Sequence, residues 1–289
     1  MEGPSRTAQG AAMHRAAHQL LDRPLVFEDP LALRIIGREG ENDLRSDWHG
    51  LAAPGLRAFV VARSRLTEDI LSVAMQRGTD QYVLLGAGLD TYACRQTASS
   101  TPLVVFEIDH PATQAWKRAR LDQAGIAVPS NLVFAPLDFE HEQIELALRR
   151  AGFDFAKPAM IAWLGVTPYL SRDAVMVTLA FVASRLKKGS EIVFDYAEPA
   201  DRRDSLHRAR FDALSARVAR AGEPFRSFFE PSALARDLAE LGFPEVCDLD
   251  ASALNARYFA GRDDDLRIPG SGHCLHAVST RACERADRS

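Results

Sequence analysis

Long apolar runs are missing from this chain: no stretch approaches the roughly 20 residues needed to cross a bilayer, although 47% of its 289 residues are hydrophobic. The N-terminal stretch from Met1 to Gln19 lacks the apolar core of a secretory signal, so a cytoplasmic location is expected, with no membrane partner. Cysteine is scarce. Cys94, Cys247, Cys274 and Cys283 show no paired Cys-x-x-Cys spacing, which excludes a disulfide framework and a local zinc site and leaves them as free thiols. Blocks of like charge are missing too, because 35 basic and 39 acidic residues are interspersed to a net charge of −4. No basic footprint for nucleic acid is present. Repeats, low-complexity tracts and dividing linkers are also absent, so residues 1–289 read as one domain.

What is there changes character near residue 80. Before it the pattern is helical: Thr7 to Leu20, Pro30 to Ile36 after Asp29, and Gly55 to Arg77, forming an N-terminal cap over residues 1–80. From residue 81 short apolar runs alternate with helical stretches, as in a parallel sheet covered on both faces. Seven strands are expected: Tyr82–Leu85, Leu103–Asp109, Leu132–Leu137, Ala159–Leu164, Glu191–Tyr196, Val246–Leu249 and His273–Ser279. Two helical stripes should pack on them, Ala112, Ala115, Trp116 and Ala119 after Pro111, and Val175, Leu179, Val182 and Leu186 after a cap at Ser171. The expected fold is therefore α/β and Rossmann-like, a seven-stranded mostly parallel sheet with helices on both faces. A core over 81–200 precedes a helical insertion over 201–242 and C-terminal strands over 243–289. In the insertion, helices over Asp201–Ala221 and Ser232–Leu241 flank an aromatic stretch from Glu223 to Phe229, and the first should lie over the mouth at the carboxyl edge of the sheet.

The most informative stretch is Tyr82-Val83-Leu84-Leu85-Gly86-Ala87-Gly88-Leu89-Asp90-Thr91, an apolar strand closed by a glycine turn. Gly86 and Gly88 let the backbone approach a ligand closely. A second strand, Val104-Val105-Phe106-Glu107-Ile108-Asp109, ends in an acid 23 positions after Gly86, near the spacing at which a ribose diol is held. Glu107 shares its face one step deeper; a cap for the helix after Pro111 is the structural alternative for Asp109. Two cofactors remain open at this point, a nicotinamide dinucleotide and S-adenosylmethionine. Thr91 stands where the dinucleotide fingerprint has its third glycine, and the Asp90 charge would oppose a pyrophosphate.

The chain resembles the leucine carboxyl methyltransferase family and its bacterial relatives, among them polyketide O-methyltransferases. The marks are Ser5-Arg6-Thr7-Ala8 with Arg15-Ala16, Asp29-Pro30-Leu31-Ala32, Arg63-Ser64-Arg65, the Leu85–Thr91 turn, Phe106-Glu107-Ile108-Asp109-His110-Pro111, Leu137-Asp138-Phe139 and Gly165-Val166-Thr167-Pro168-Tyr169-Leu170, in the family's order over nearly the whole chain. The resemblance implies an S-adenosyl-L-methionine-dependent methyltransferase, with S-adenosyl-L-homocysteine as product and a small-molecule acceptor, methylated on a carboxylate or hydroxyl oxygen. It implies a cofactor site of Arg6, Arg63, Gly86, Ala87, Gly88, Asp90, Asp109, His110, Asp138, Phe139 and Leu164. In that set Asp109 takes the ribose hydroxyls, Asp138-Phe139 read the adenine, and Arg63 with Arg6 meets the cofactor carboxylate, which a planar guanidinium matches by two parallel bonds. One position departs: the family carries a glutamate, contacting the cofactor ammonium, where this chain has Leu164. That departure motivates a third reading beside methyltransferase and nicotinamide-dependent oxidoreductase, a binding protein without catalysis.

For a hydroxyl acceptor a general base is needed, and His110, Tyr169, Asp195, Tyr196 and His207 lie near the carboxyl edge, with Tyr169 and His110 as the catalytic candidates. No metal is expected, since His273 and His276 fall on opposite strand faces and His14 with His18 lacks a third ligand.

Overall fold

In the structure, a computed structural model, residues 4–47, 53–96, 103–139, 142–199, 205–220, 222–270 and 272–280 are described. In chain order the elements are α1 (Arg6–Leu21), α2 (Ala32–Ser46), α3 (Pro54–Gln76), β1 (Gln81–Leu85), α4 (Tyr92–Arg95), β2 (Val104–Asp109), α5 (Pro111–Gln123), β3 (Leu132–Pro136), α6 (Ile144–Arg150) and β4 (Met160–Trp163). A 3₁₀ turn over Thr167–Tyr169 follows, then α7 (Arg172–Arg185), β5 (Glu191–Ala197), α8 (Ser205–Arg220), α9 (Pro231–Leu241), β6 (Val246–Leu249), α10 (Ala251–Tyr258) and β7 (Gly272–Val278). The expected strands are all present, with ends moved by at most a residue. Of the expected helix Asp201–Ala221, residues 201–204 and 221 lie outside the described residues, as does Cys283; Cys94, Cys247 and Cys274 are free thiols.

The strands pair in the order β3-β2-β1-β4-β5-β7-β6. The first five are mutually parallel, and β7 enters antiparallel between β5 and β6. Because side chains alternate across a strand, the sheet sorts its residues into two apolar layers. Val83, Leu85, Phe106, Ile108, Ile161, Trp163, Ile192 and Phe194 pack beneath α7 and α9. Tyr82, Leu84, Val105, Met160, Ala162 and Val193 lie on the other face with Leu71 of α3 and Tyr92 of α4. Burying such a side chain fully contributes about 1.5–3 kcal/mol, which is why these strands read as continuous apolar runs.

The stripe expected on α7 is found: Val175, Leu179, Val182 and Leu186 are buried, and Ser171 Oγ accepts from Ala174 N at 3.2 Å. The stripe expected on α5 is not. Ala115 and Ala119 are exposed, and the helix instead buries Thr113, Gln114, Lys117 and Leu121. The reason is polar: Lys117 Nζ donates to the buried Glu107 at 2.5 Å, Gln114 Nε2 to Glu107 O at 3.1 Å, and Thr113 Oγ1 accepts from Ser5 N at 3.2 Å. The helix expected to end at Ile36 breaks one residue later, at Gly37, and then resumes to Ser46. Across the break Arg120 donates to the carbonyls of Ile35 and Ile36. Its start is also shifted, with Asp29 Oδ1 accepting from Leu31 N ahead of the first helical residue, Ala32.

At the topological switch between β1 and β4, where chain order reverses, the carboxyl ends of five neighbouring strands open a crevice. The N-terminal helices and the insertion close it from above.

Candidate active site

A cavity of about 1630 Å³ occupies this crevice. It exceeds the roughly 300–1,000 Å³ of an ordinary small-ligand pocket, so it has room for a nucleoside cofactor and a second reactant. One wall is made by strand ends: Gly86, Ala87, Gly88 and Asp90 after β1, Asp109 and His110 after β2, Asp138 and Phe139 after β3, Leu164 after β4 and Asp195 in β5. The other wall comes from helical parts: Arg6 and His14 of α1, Arg63 of α3, Tyr169 of the 3₁₀ turn, and Phe211 and Arg217 of α8. Every residue of the expected cofactor set thus faces one space.

The glycine turn is pulled against β2, with Gly86 N donating to Ile108 O at 2.8 Å and Gly88 N to Asp109 Oδ2 at 2.5 Å. Both glycines have positive φ, +70° and +49°. A Cβ on Gly86 would fall 2.4 Å from Val166 Cγ2, and one on Gly88 would fall 2.9 Å from Ala8 Cβ, so the turn accommodates no side chain. A buried acid holds the turn from behind. Asp29 accepts from Thr91 Oγ1 at 2.7 Å and from Arg15 Nε at 3.4 Å, while Arg15 also donates to Leu89 O at 2.6 Å. Thr91 therefore serves the scaffold.

The second oxygen of Asp109 accepts from His110 N at 2.7 Å. Burial raises its pKa, against the opposing pull of the Gly88 and His110 N–H groups. The helix cap is His110 itself, whose Nδ1 accepts from Ala112 N at 3.3 Å. Glu107, though on the same strand face, is absorbed by Lys117 and does not line the cavity. For Asp90, burial acts to raise the pKa, but Arg15, Lys117, Arg95 and the Tyr92 N–H outweigh it, so the net shift is downward and the group is anionic. The helix after the turn has only four residues, too short a dipole to hold a pyrophosphate.

Arg63 is clamped rather than solvated. Its guanidinium donates to Asp195 Oδ2 at 2.7 Å, and Asp195 Oδ1 accepts from Gly165 N at 2.5 Å. One carboxylate from β5 thereby fixes both the arginine and the loop after β4. Arg6 is exposed at the rim, and its backbone N–H donates to Glu223 Oε1 at 3.0 Å. Glu223 Oε2 accepts from Thr7 N at 3.0 Å and Ser5 Oγ at 3.3 Å, so the insertion caps the first turn of α1. The aromatic stretch is anchored beside it: Arg226 N donates to Pro168 O at 2.6 Å, and Phe225 stacks between Tyr169 and Phe211, 5.2 Å from each ring.

Among the candidate bases, Tyr169 has its pKa pushed up to about 12 by burial, and Tyr196 donates its hydroxyl to Asp248 Oδ2 at 2.5 Å. His207 lies in α8, its side chain outside the described residues. His18 is structural, Nδ1 bonding Asp22 at 2.7 Å and Nε2 accepting from Val26 N at 3.0 Å. Residues that sequence reasoning missed include Asp29, Arg15 and Glu223. Their only signal was placement in the resemblance motifs for the first two and none for the third. Among the described residues no group of three or more His, Cys, Asp or Glu is arranged to hold a metal, and no helix is long and apolar enough to cross a membrane.

A sheet of this order, with a glycine turn after β1 and an acid at the tip of β2, is the frame of an S-adenosyl-L-methionine-dependent methyltransferase, and comparison with known proteins agrees. YktD of Bacillus subtilis (strain 168), which carries an S-adenosyl-L-methionine-dependent methyltransferase name, is 30% identical over 95% of this chain and 97% of its own length. A Mycolicibacterium gilvum (strain PYR-GCK) protein named in the same way is 31% identical over 67% of this chain and 75% of its own. A solved Thermobifida fusca YX structure, described as a methyltransferase, superimposes with TM-score 0.57 and 20% identity over 96% of both chains, which speaks to the fold alone. The leucine carboxyl methyltransferase family model matches residues 8–183. The chain belongs to that family, and S-adenosyl-L-methionine is its cofactor.

Proposed function

We propose that the protein transfers the methyl group to an oxygen of a small-molecule acceptor, acting as a single unit over residues 1–289 in the cytoplasm. The observation that carries this reading is the size and lining of one cavity, in which the strand ends with Arg63 and Arg6 suit the cofactor and the rest of the helical wall is left for a second molecule. The residues fit S-adenosyl-L-methionine. The bare Gly86–Gly88 turn admits its close approach, Asp109 keeps lone pairs for ribose hydroxyls after serving two N–H groups, and Asp138 with Phe139 would receive the adenine. The clamped Arg63 would meet the carboxylate, with Arg6 from the rim. The Leu164 side chain offers no acceptor to the ammonium, and one lost charged hydrogen bond is worth about 1.5–3 kcal/mol, a weakening rather than an abolition of binding.

Held there, the cofactor would supply a sulfonium-activated methyl carbon for attack by the acceptor oxygen, with the carbon–sulfur electron pair left on the sulfur of S-adenosyl-L-homocysteine. The chain's part is to hold the two reactants in line and exclude water, which can supply much of the acceleration. A carboxylate acceptor is favoured over a hydroxyl by the state of the candidate bases. Among the candidates whose side chains are described, His110 spends the Nδ1 lone pair on Ala112 N, Asp195 accepts from Arg63 and Gly165, Tyr169 retains its proton at neutral pH, and Tyr196 commits its hydroxyl to Asp248. A carboxylate is already ionised and needs no base.

Calorimetric titration with S-adenosyl-L-homocysteine and with NAD, followed by transfer of a radiolabelled methyl group over a panel of carboxylic acids and phenols, tests the reading. Binding of the homocysteine product and labelling of acids is expected. Binding without labelling would favour a non-catalytic role, and NAD binding alone would favour the oxidoreductase reading.

A further inference from the structure

His14 departs from what a buried histidine normally shows. It is 2% exposed and lines the cavity, yet neither ring nitrogen has a hydrogen-bond partner. Unpaired buried polar atoms are uncommon and costly, and each calls for a reason. His18, one turn further along the same helix, has both nitrogens satisfied by protein groups. The charges acting on His14 are cations on two other helices, Arg57 and Arg63 of α3 and Arg217 of α8. Burial first, and then those three guanidinium groups, lowers its pKa from 6.5 to about 3. The ring is therefore neutral at any ordinary pH, with one N–H to donate and one lone pair, and it is too weak a base to take a proton from a phenol.

We infer that His14 is the hydrogen-bonding anchor of the methyl acceptor, its ring N–H donating to an anionic oxygen of that molecule. The inference rests on the O-methyltransferase reading given above. An oxyanion suits the place on two counts: it supplies the partner that the imidazole lacks, and, with Arg57 and Arg63 of α3 balanced by Asp22 and Asp195, the Arg217 guanidinium of α8 still acts on the ring. Arg63 and Arg6 already reach the cofactor carboxylate from the helical wall, and His14, which has no part in that set, is left for the second reactant. It is a specificity-determining contact and no proton changes hands at it.

The test compares wild type with His14→Phe and His14→Asn. Each protein is loaded with S-adenosyl-L-homocysteine and titrated with phenylacetate, octanoate and the corresponding carboxamides. Wild type should bind acids in preference to amides. His14→Phe should lose about tenfold or more in acid affinity, while its affinity for S-adenosyl-L-homocysteine stays within about twofold. His14→Asn, which restores a donor, should recover part of the loss. Because His14→Phe also removes two unsatisfied buried nitrogens, its Tm should equal or exceed that of wild type, the reverse of what a structural histidine would give. Unchanged acid affinity in His14→Phe, a parallel loss of S-adenosyl-L-homocysteine affinity, equal binding of acids and amides by wild type, or no acid binding at all would each overturn the inference. Failure of S-adenosyl-L-homocysteine itself to bind would instead strike the methyltransferase reading beneath it.

Discussion

Replacing Asp109 by asparagine separates the two tasks this residue can perform. In the protein its carboxylate receives Gly88 N at 2.5 Å and His110 N at 2.7 Å, which uses about half of its four or so lone-pair positions. An amide of the same shape keeps an oxygen for Gly88 but loses the charge and turns the other end into a donor. If the remaining positions serve the ribose diol, losing one charged acceptor should cost about 1.5–3 kcal/mol of binding. That corresponds to a Kd for S-adenosyl-L-homocysteine weaker by about 10- to 100-fold, read by calorimetry at neutral pH. Thermal unfolding supplies the control, because a collapsed glycine turn would lower Tm and binding together. Burial raises the pKa of Asp109, so the stability linked to its ionisation is present below the unfolded value and already lost above the folded one. An uncharged asparagine gives up no such stability at any pH above the folded value. A Kd within about threefold of wild type, at unchanged Tm, would show that Asp109 serves only the turn and would remove it from the cofactor site.

Three further outcomes rest on the same geometry. Gly86→Ala should abolish measurable S-adenosyl-L-homocysteine binding and lower stability by about 1–3 kcal/mol, and adding Val166→Ala should recover only part of it, since the positive φ remains; full recovery would mean that the clash alone matters. Asp195→Asn should weaken S-adenosyl-L-homocysteine by about tenfold while leaving 5′-methylthioadenosine, which has no amino-acid portion, unchanged; equal losses for both would place Asp195 outside the carboxylate clamp. Lys117→Met should leave the buried Glu107 unopposed and push its pKa above the present value of about 7, so the variant should lose more stability at pH 8 than at pH 5. Unfolding curves at the two pH values check the sign, and a loss independent of pH would contradict it.

The strands were legible because each is an apolar run bounded by turn residues, and the cavity lining followed wherever a strand end carried a glycine pair or an acid, as at Gly86–Gly88 and Asp109. Periodicity failed on α5, where Thr113, Gln114 and Lys117 face inward to satisfy Ser5 and Glu107, since polar residues on a buried face look from sequence like a solvent face. Gly37 ended a helix as expected, but nothing local announced that Arg120, far along the chain, would hold the open carbonyls and let the helix resume. His14 and His18 share one helix face and cannot be told apart by spacing. Only packing shows that one is satisfied by its surroundings and the other is not.

Glu223 joins the opening turn of the chain to a segment more than two hundred positions later, and it does so through backbone amides rather than a charged side chain. Because both partners line the cavity, the contact ties two distant segments of its helical wall together around any reactant held there. Salt should disturb it little, because the amides it holds carry no formal charge to screen.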